Sequence, residues 1–76
     1  MTQIRNDEFL VKIGKTLKEL RKKKGILQAD LVHDTGINIT RVENGSRNLT
    51  VSSLLVLTEY LDIKMDDFFK LVEKQN

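Results

Sequence analysis

The sequence predicts an all-α fold: a bundle of five short helices in a single domain. Three observations carry that prediction. Proline is absent and only 4 glycines interrupt the 76 residues, so helices can run unbroken between glycine stops. Apolar residues recur at steps of three and four, with no strand-like alternation. A hydrophobic share of 39% against 32% charged residues is the balance of a folded domain rather than of a disordered tail.

The elements follow in order. Phe9, Ile13, Leu17 and Leu20 form a helical stripe, which places helix 1 at about 7–24. Asn6 stands where it can cap that helix. Asp7 and Glu8 suit its positive end, Arg21 to Lys24 its negative end, and Gly25 stops it. Helix 2 is expected over about 28–35, with Leu31 and Val32 facing inward and Gly36 ending it. Its start is poorly capped, because Leu27 stands where Ser or Thr would save about 1 kcal/mol. Asn38 can cap a third segment at about 39–44, where Ile39 and Val42 share a buried face and Gly45 closes the element. That segment is only roughly 9 Å long. Thr50 caps helix 4, about 51–61, with Leu54, Leu57 and Leu61 inward and Leu55 and Tyr60 on the flank. Asp62 occupies a helix end where glycine would be easier, and helix 5 follows at about 65–74.

Composition bounds the function. No cysteine is present, which removes disulfides, thiolate metal sites and a thiol nucleophile. His33 is the single histidine. It and Asp30 make two ligands without a third, a poor metal site, and no metal or other cofactor is expected. Asp66 and Asp67 are adjacent on a helix and diverge, so they read as dipole-stabilising acids rather than a catalytic pair. No phosphate-binding glycine loop or nucleophile motif appears, and an enzyme is not expected. The run Leu54-Leu55-Val56-Leu57 is far short of the roughly 20 residues of a membrane span. Residues Met1 to Glu8 lack the apolar stretch of a signal peptide, so a cytoplasmic chain is expected. The net charge of +2 is unevenly spread: residues 1–49 carry 10 Lys/Arg against 6 Asp/Glu, and residues 50–76 carry 3 against 5. The densest cluster is Lys15, Lys18, Arg21, Lys22, Lys23 and Lys24. One basic half suits a protein that meets a polyanion at one end.

Five fragments carry a resemblance. Ile13 to Gly25 resembles the first helix of the Cro/phage-repressor-type (Xre-type) helix-turn-helix family. Gln28 to Ile37 looks like its scaffold helix and turn, and Arg41-Val42-Glu43-Asn44-Gly45 looks like the end of its recognition helix. Leu54 to Phe69 follows its last two helices, and the loop Ser46-Arg47-Asn48-Leu49-Thr50 resembles restriction–modification controller proteins. The resemblance implies a lambda-repressor-like bundle that binds double-stranded DNA and works in the bacterial or phage nucleoid. It implies that Gln28 bonds a phosphate, that Arg21 and Glu43 form a structural ion pair, and that Asn44 and Arg47 touch the sugar–phosphate chain. Lys22 and Lys24 would add charge there.

One departure from the family pattern stands out. Between Gly36 and Glu43 the chain has only Ile37-Asn38-Ile39-Thr40-Arg41-Val42, about three residues fewer than the family normally has. The missing positions are those that reach base edges, and their loss turns the helix start by about 300°. Two consequences compete. Either Asn38, Thr40 and Arg41 serve as base readers, or segment 36–44 is a distorted loop that grips the backbone without reading sequence.

Such a small chain buries only roughly 60% of its unfolded surface, which favours self-association. Helix 5 carries Met65, Phe68, Phe69, Leu71 and Val72, and the two phenylalanines point about 100° apart. Leu55, Tyr60, Phe68, Phe69 and Val72 are therefore the expected surface of a homodimer. The chain reads as a dimeric transcriptional regulator on operator DNA, possessing neither a membrane segment nor an evident small-molecule site. A protein-interaction module that pairs with a full-length relative is the rival reading.

Overall fold

Leu10, Ile13 and Leu17 line the inner face of α1 (Asp7–Lys23) in the computed structural model, which describes residues 7–75. Four more helices follow: α2 (Gln28–Thr35), α3 (Ile39–Glu43), α4 (Val51–Tyr60) and α5 (Met65–Glu73). The described residues contain no strand. α1 packs on α3 and α5, α2 on α3 and α4, and α4 on α5. Leu17, Leu31, Ile39, Leu57, Leu61 and Phe68 meet at the centre, each fully buried. The expected inner faces of α3 and α4 are the observed ones: Ile39 and Val42, then Leu54, Leu57 and Leu61.

Four helices end one residue earlier than the pattern suggests, because the residue after each belongs to a closing turn. In α1 the Gly25 N–H donates to the Lys22 carbonyl and the Ile26 N–H to Arg21. α3 closes in the same way, Gly45 to Val42 and Ser46 to Arg41. Both are the paired six-to-one and five-to-two bonds that satisfy the last carbonyls of a helix. α4 repeats the turn with Asp62 in the glycine position at φ 55°, a left-handed conformation that costs a non-glycine residue roughly 1 kcal/mol.

Several expectations need correction. Phe9 is 41% exposed, and Leu10 takes its place in the core, since α1 crosses its neighbours along the Leu10–Ile13–Leu17 line. The Phe9 ring instead stacks on Phe69, with centroids 6.2 Å apart and planes 2° from parallel. Val32 is exposed; only Leu31 of α2 is buried. Asn38 precedes α3 without a side-chain capping bond, whereas Thr50 does cap α4 by accepting from the Ser53 N–H at 3.1 Å. The expected cap Asn6 lies outside the described residues. Phe68 and Val72 are each 0% exposed and belong to the chain's own core, so they leave the proposed dimer surface. The reason is the sharp turn at Asp62, which folds α5 back so that its Phe68–Val72 edge is spent inside the protomer.

Two contacts hold the helices in register. At Gly14 of α1 an added Cβ would lie 2.5 Å from the Val42 carbonyl oxygen and 2.6 Å from that of Glu43. The absence of a side chain there lets α1 touch the backbone of α3 directly. At the other end of the bundle the Tyr60 hydroxyl donates to Asp34 Oδ2 at 2.6 Å, tying the end of α4 to the end of α2. His33 Nδ1 lies 3.2 Å from the other oxygen of the same carboxylate. Hydrogen bonds from Tyr60 and then His33 hold the Asp34 carboxyl below the usual carboxylate range, and the bond to Asp34 raises the Tyr60 phenol above its ordinary value.

Gly14→Ala is expected to destabilise the fold by about 1–3 kcal/mol, because neither carbonyl is on a side chain that can swing away. Each kcal/mol corresponds to a melting temperature lower by roughly 4–8 °C in a domain of this size. An unchanged thermal transition would refute the close approach. The Tyr60–Asp34 bond needs a neutral phenol and an ionised carboxyl. Its stabilisation is complete above the ordinary carboxylate pKa and below the ordinary phenol pKa. It fades as pH falls through the lowered Asp34 value or rises through the raised Tyr60 value. Tyr60 is the sole tyrosine and there is no tryptophan, so phenolate absorbance reads it cleanly. The midpoint should lie above that of free tyrosine and move back toward it in Asp34→Ala; equal midpoints in both proteins would show that the bond is not formed.

Candidate nucleic-acid interface

Arg21 and Glu43 are the only oppositely charged pair of the described residues with both side chains buried, and they meet edge to edge. Arg21 Nε donates to Glu43 Oε2 at 2.6 Å and its terminal nitrogen to Oε1 at 3.1 Å. A further guanidinium nitrogen donates to the Ile26 carbonyl at 2.8 Å, fastening the loop between α1 and α2. The bond to Glu43 and its charge raise the Arg21 pKa still further, against the opposing effect of burial. A pair in this bidentate geometry is strong while both members remain, and losing one leaves a buried charge at a cost of about 3–5 kcal/mol.

Glu43 also accepts from the Gln28 side-chain amide at 3.0 Å. The other end of that amide, Oε1, accepts from the Thr40 hydroxyl at 3.4 Å. Gln28 is thus half-buried and held between α2's start and α3. Its NH₂ group has two hydrogens, and one remains for an outside acceptor. The resemblance assigned Gln28 to phosphate and Arg21–Glu43 to structure; the three side chains form one network. Leu27 opens α2 without a side-chain cap, so the N–H groups of the first turn point outward with no side-chain acceptor.

The recognition segment is helical, not a loop, but it is just five residues long. Ile39, Val42 and Glu43 face inward, while Asn38, Thr40, Arg41 and Asn44 are exposed on the other side. The next turn is closed by side-chain hydrogen bonds. Asn44 Oδ1 accepts from the Ser46 N–H at 3.0 Å, and the Ser46 hydroxyl donates to the Arg41 carbonyl at 3.1 Å. Gly45, at φ 77°, lies on α1, where an added Cβ would meet Val11 Cγ2 at 2.9 Å and Val11 Cα at 3.1 Å. Arg47 follows, exposed, as are Lys22 and Lys24. None of Arg41, Arg47, Lys22 and Lys24 has an ion-pair partner among the described residues.

The α2–α3 unit joins Gln28 to Thr40 by a hydrogen bond and leaves Arg41, Asn44 and Arg47 exposed in α3 and the turn after it. Lys22 and Lys24 stand at the end of α1 that leads into it. The dimer-surface residues divide: Leu55 is exposed, Tyr60 and Phe69 are half-buried, and Phe68 and Val72 are inside. On the apolar face that α4 leaves open, sequence reading named Leu55 but missed Val51 and Val56, of which Val51 is 79% exposed. It missed Gly14 as well, although a lone glycine inside a helical stripe is itself a sign of close packing. Among the described residues no group of acids and histidine gathers to hold a metal ion, and no helix is long and apolar enough to cross a membrane.

The family model of the Cro/C1-type HTH DNA-binding domain matches residues 16–74. No curated protein matches the sequence. Among solved structures, the restriction–modification controller protein C.Esp1396I, as a tetramer in complex with its natural 35-base-pair operator, is 30% identical with a TM-score of 0.81. That match covers 91% of this chain and 95% of the other. The same controller on a 25-base-pair operator site is 32% identical at a TM-score of 0.77, covering 87% and 91%. The controller protein C.AhdI from Aeromonas hydrophila is 38% identical at a TM-score of 0.72, covering 79% of this chain and 96% of that one. A matching family model over most of the chain, the paired α2 and α3, and the buried Arg21–Glu43 link lead to one conclusion: this chain belongs to the Cro/C1-type helix-turn-helix DNA-binding family.

Proposed function

We propose that the chain is a sequence-specific transcriptional regulator that binds operator DNA as a homodimer, in the role of a restriction–modification controller. The observation that carries this reading is Arg41, exposed on α3 without an ion-pair partner, next to Thr40, whose hydroxyl bonds the Gln28 side chain. A guanidinium there bonds a guanine edge bidentately, while Thr40 and Asn38 supply neighbouring contacts. Gln28, Asn44, Arg47, Lys22 and Lys24 take the sugar–phosphate backbone, which positions the protein without specifying sequence. No step of bond making or breaking is assigned to these side chains. Operator DNA as the partner places the protein in the cytoplasm of a bacterium or a phage host.

The dimer surface is α4's outer face, Val51, Leu55 and Val56, extended by Phe69 and the free edge of Tyr60. The protomer measures 38 × 26 × 19 Å. To read successive major grooves on one side of a duplex, a two-fold pair needs its α3 helices roughly 34 Å apart, a span within reach of two such protomers side by side. The five-residue α3 is what favours the rival reading, a protein-interaction module with impaired base readout.

A fluorescence titration of genomic-operator and scrambled duplexes over a salt series separates the two. Selective binding is expected; equally weak binding to every duplex, vanishing with salt, would establish the module instead. Arg41→Ala should lose about 1–3 kcal/mol of discrimination at one base position and keep its non-specific binding. Gln28→Ala should weaken all sequences alike and leave the salt slope unchanged, because a neutral amide releases no counterion, whereas Arg47→Ala should lower the slope by about 0.9. Full selectivity in Arg41→Ala removes that residue as the reader. Leu55→Glu should sediment as a monomer with reduced operator affinity, and a variant that stays dimeric moves the interface off α4.

A further inference from the structure

Counting from Gly14 at about 100° per residue, the circumference of α1 divides into two sides. Gly14 and Arg21 point at α3, the first through its missing Cβ and the second through its bonds to Glu43. Leu10, Ile13 and Leu17 lie on one side of that line and are buried in the core. Lys18, Val11, Lys22 and Lys15 lie on the other side, at about 40° to 100° from Gly14, and all four are exposed. Because α3 is the boundary, this second side faces away from the core, as the outer face of α3 does. Val11 fixes the connection: it is the residue on which Gly45 rests, so the turn that presents Asn44 and Arg47 is seated directly on the same strip of α1.

The strip is positive. Lys15, Lys18 and Lys22 have no ion-pair partner among the described residues. Of the acids of α1, Glu8 and Glu19 lie further round the helix, at about 120° and 140° from Gly14, while Asp7 stands at about 20° in the first turn, some two turns before Lys15. Glu8 lies 3.9 Å from Lys12, and Glu19 accepts from the Gln75 amide at 3.1 Å. A row of lysines three and four residues apart on one helix is spaced about 4.5–6 Å along the axis, and self-repulsion alone gives it no stabilising role.

We propose that Lys15 and Lys18, continued by Lys22, form a second phosphate-binding ridge that grips the duplex backbone outside the base pairs faced by α3. The inference rests on the DNA-binding reading above and extends its footprint along α1. The ridge carries no sequence information. It lengthens the stretch of DNA each protomer covers and steers the protein onto any duplex, after which Arg41 selects.

The test compares wild-type protein with the double variant Lys15→Gln, Lys18→Gln in salt titrations on two operator duplexes. One extends well beyond the selected base pairs; the other is trimmed to them. On the long duplex the slope of log K against log salt should become shallower by about 1.8, two contacts at about 0.9 each, with sequence preference kept. On the trimmed duplex the two proteins should bind alike. Lys23→Gln, an exposed lysine about 180° from Gly14, is the control and should leave the slope unchanged. All three lysines are exposed, so circular-dichroism melting should be the same for every variant. Selective binding by the wild type with an unaltered slope in the double variant overturns the ridge and leaves the regulator standing. Failure of the wild type to prefer any duplex overturns the regulator, and failure to bind any duplex at all overturns both. A slope that falls equally in Lys23→Gln reduces the effect to net charge and also refutes the ridge.

Discussion

The Arg21 guanidinium reaches from α1 to the end of α3 and lies flat against the Glu43 carboxylate, while Gln28 bonds the same carboxylate from the start of α2. Three helices therefore converge on two oxygen atoms. Desolvating such a pair is costly, and an apolar substitute of the same volume would often be as stable. What the pair supplies that an apolar contact cannot is direction. Bidentate geometry fixes the orientation of both side chains, and through Glu43 it sets the rotation of α3 about its own axis. For an element of five residues that rotation decides everything about its outer face, since one residue of slippage exchanges Arg41 for Val42.

Gly14 makes this arrangement possible. Without a Cβ, α1 approaches the α3 carbonyls of Val42 and Glu43 closely enough for the Arg21 side chain to span the remaining gap. The same closeness brings Gly45 down onto Val11, and the Asn44–Ser46 turn is then locked by its own hydrogen bonds. Short helices are marginal in isolation. Here α3 is held at its end by a buried ion pair, beneath by Ile39 and Val42, and beyond its last residue by a closed turn. Its brevity is offset by its neighbours rather than by its own propensity.

The bundle also divides its surface by charge and polarity. Lys15, Lys18 and Lys22 lie on one side of α1, and Arg41 and Arg47 are exposed in α3 and just after it. The described C-terminal part bears Glu59, Asp62, Asp66, Asp67 and Glu73, with the apolar α4 face between. That partition allows one side to meet a polyanion while another meets a second protomer, without either partner approaching charge of its own sign.

Much of this was legible from the residues alone. Helical spacing and glycine stops located all five helices within a residue of their ends, and Thr50, Leu27 and Asp62 behave as their local chemistry dictates. The Glu-Asn-Gly motif and its upstream arginine pointed to the ion pair. These features are local, or are written in a family pattern, and neither requires knowing which helix lies beside which. The exchange of Phe9 for Leu10, the exposure of Val32 and the withdrawal of Phe68 and Val72 from the dimer surface depended on helix crossing angles. So did the meeting of Tyr60 with Asp34, 26 positions apart. Periodicity says that a helix has an apolar side but not which edge of it a neighbour will cover. That choice belongs to the packed bundle, where the same few core positions must satisfy every helix at once.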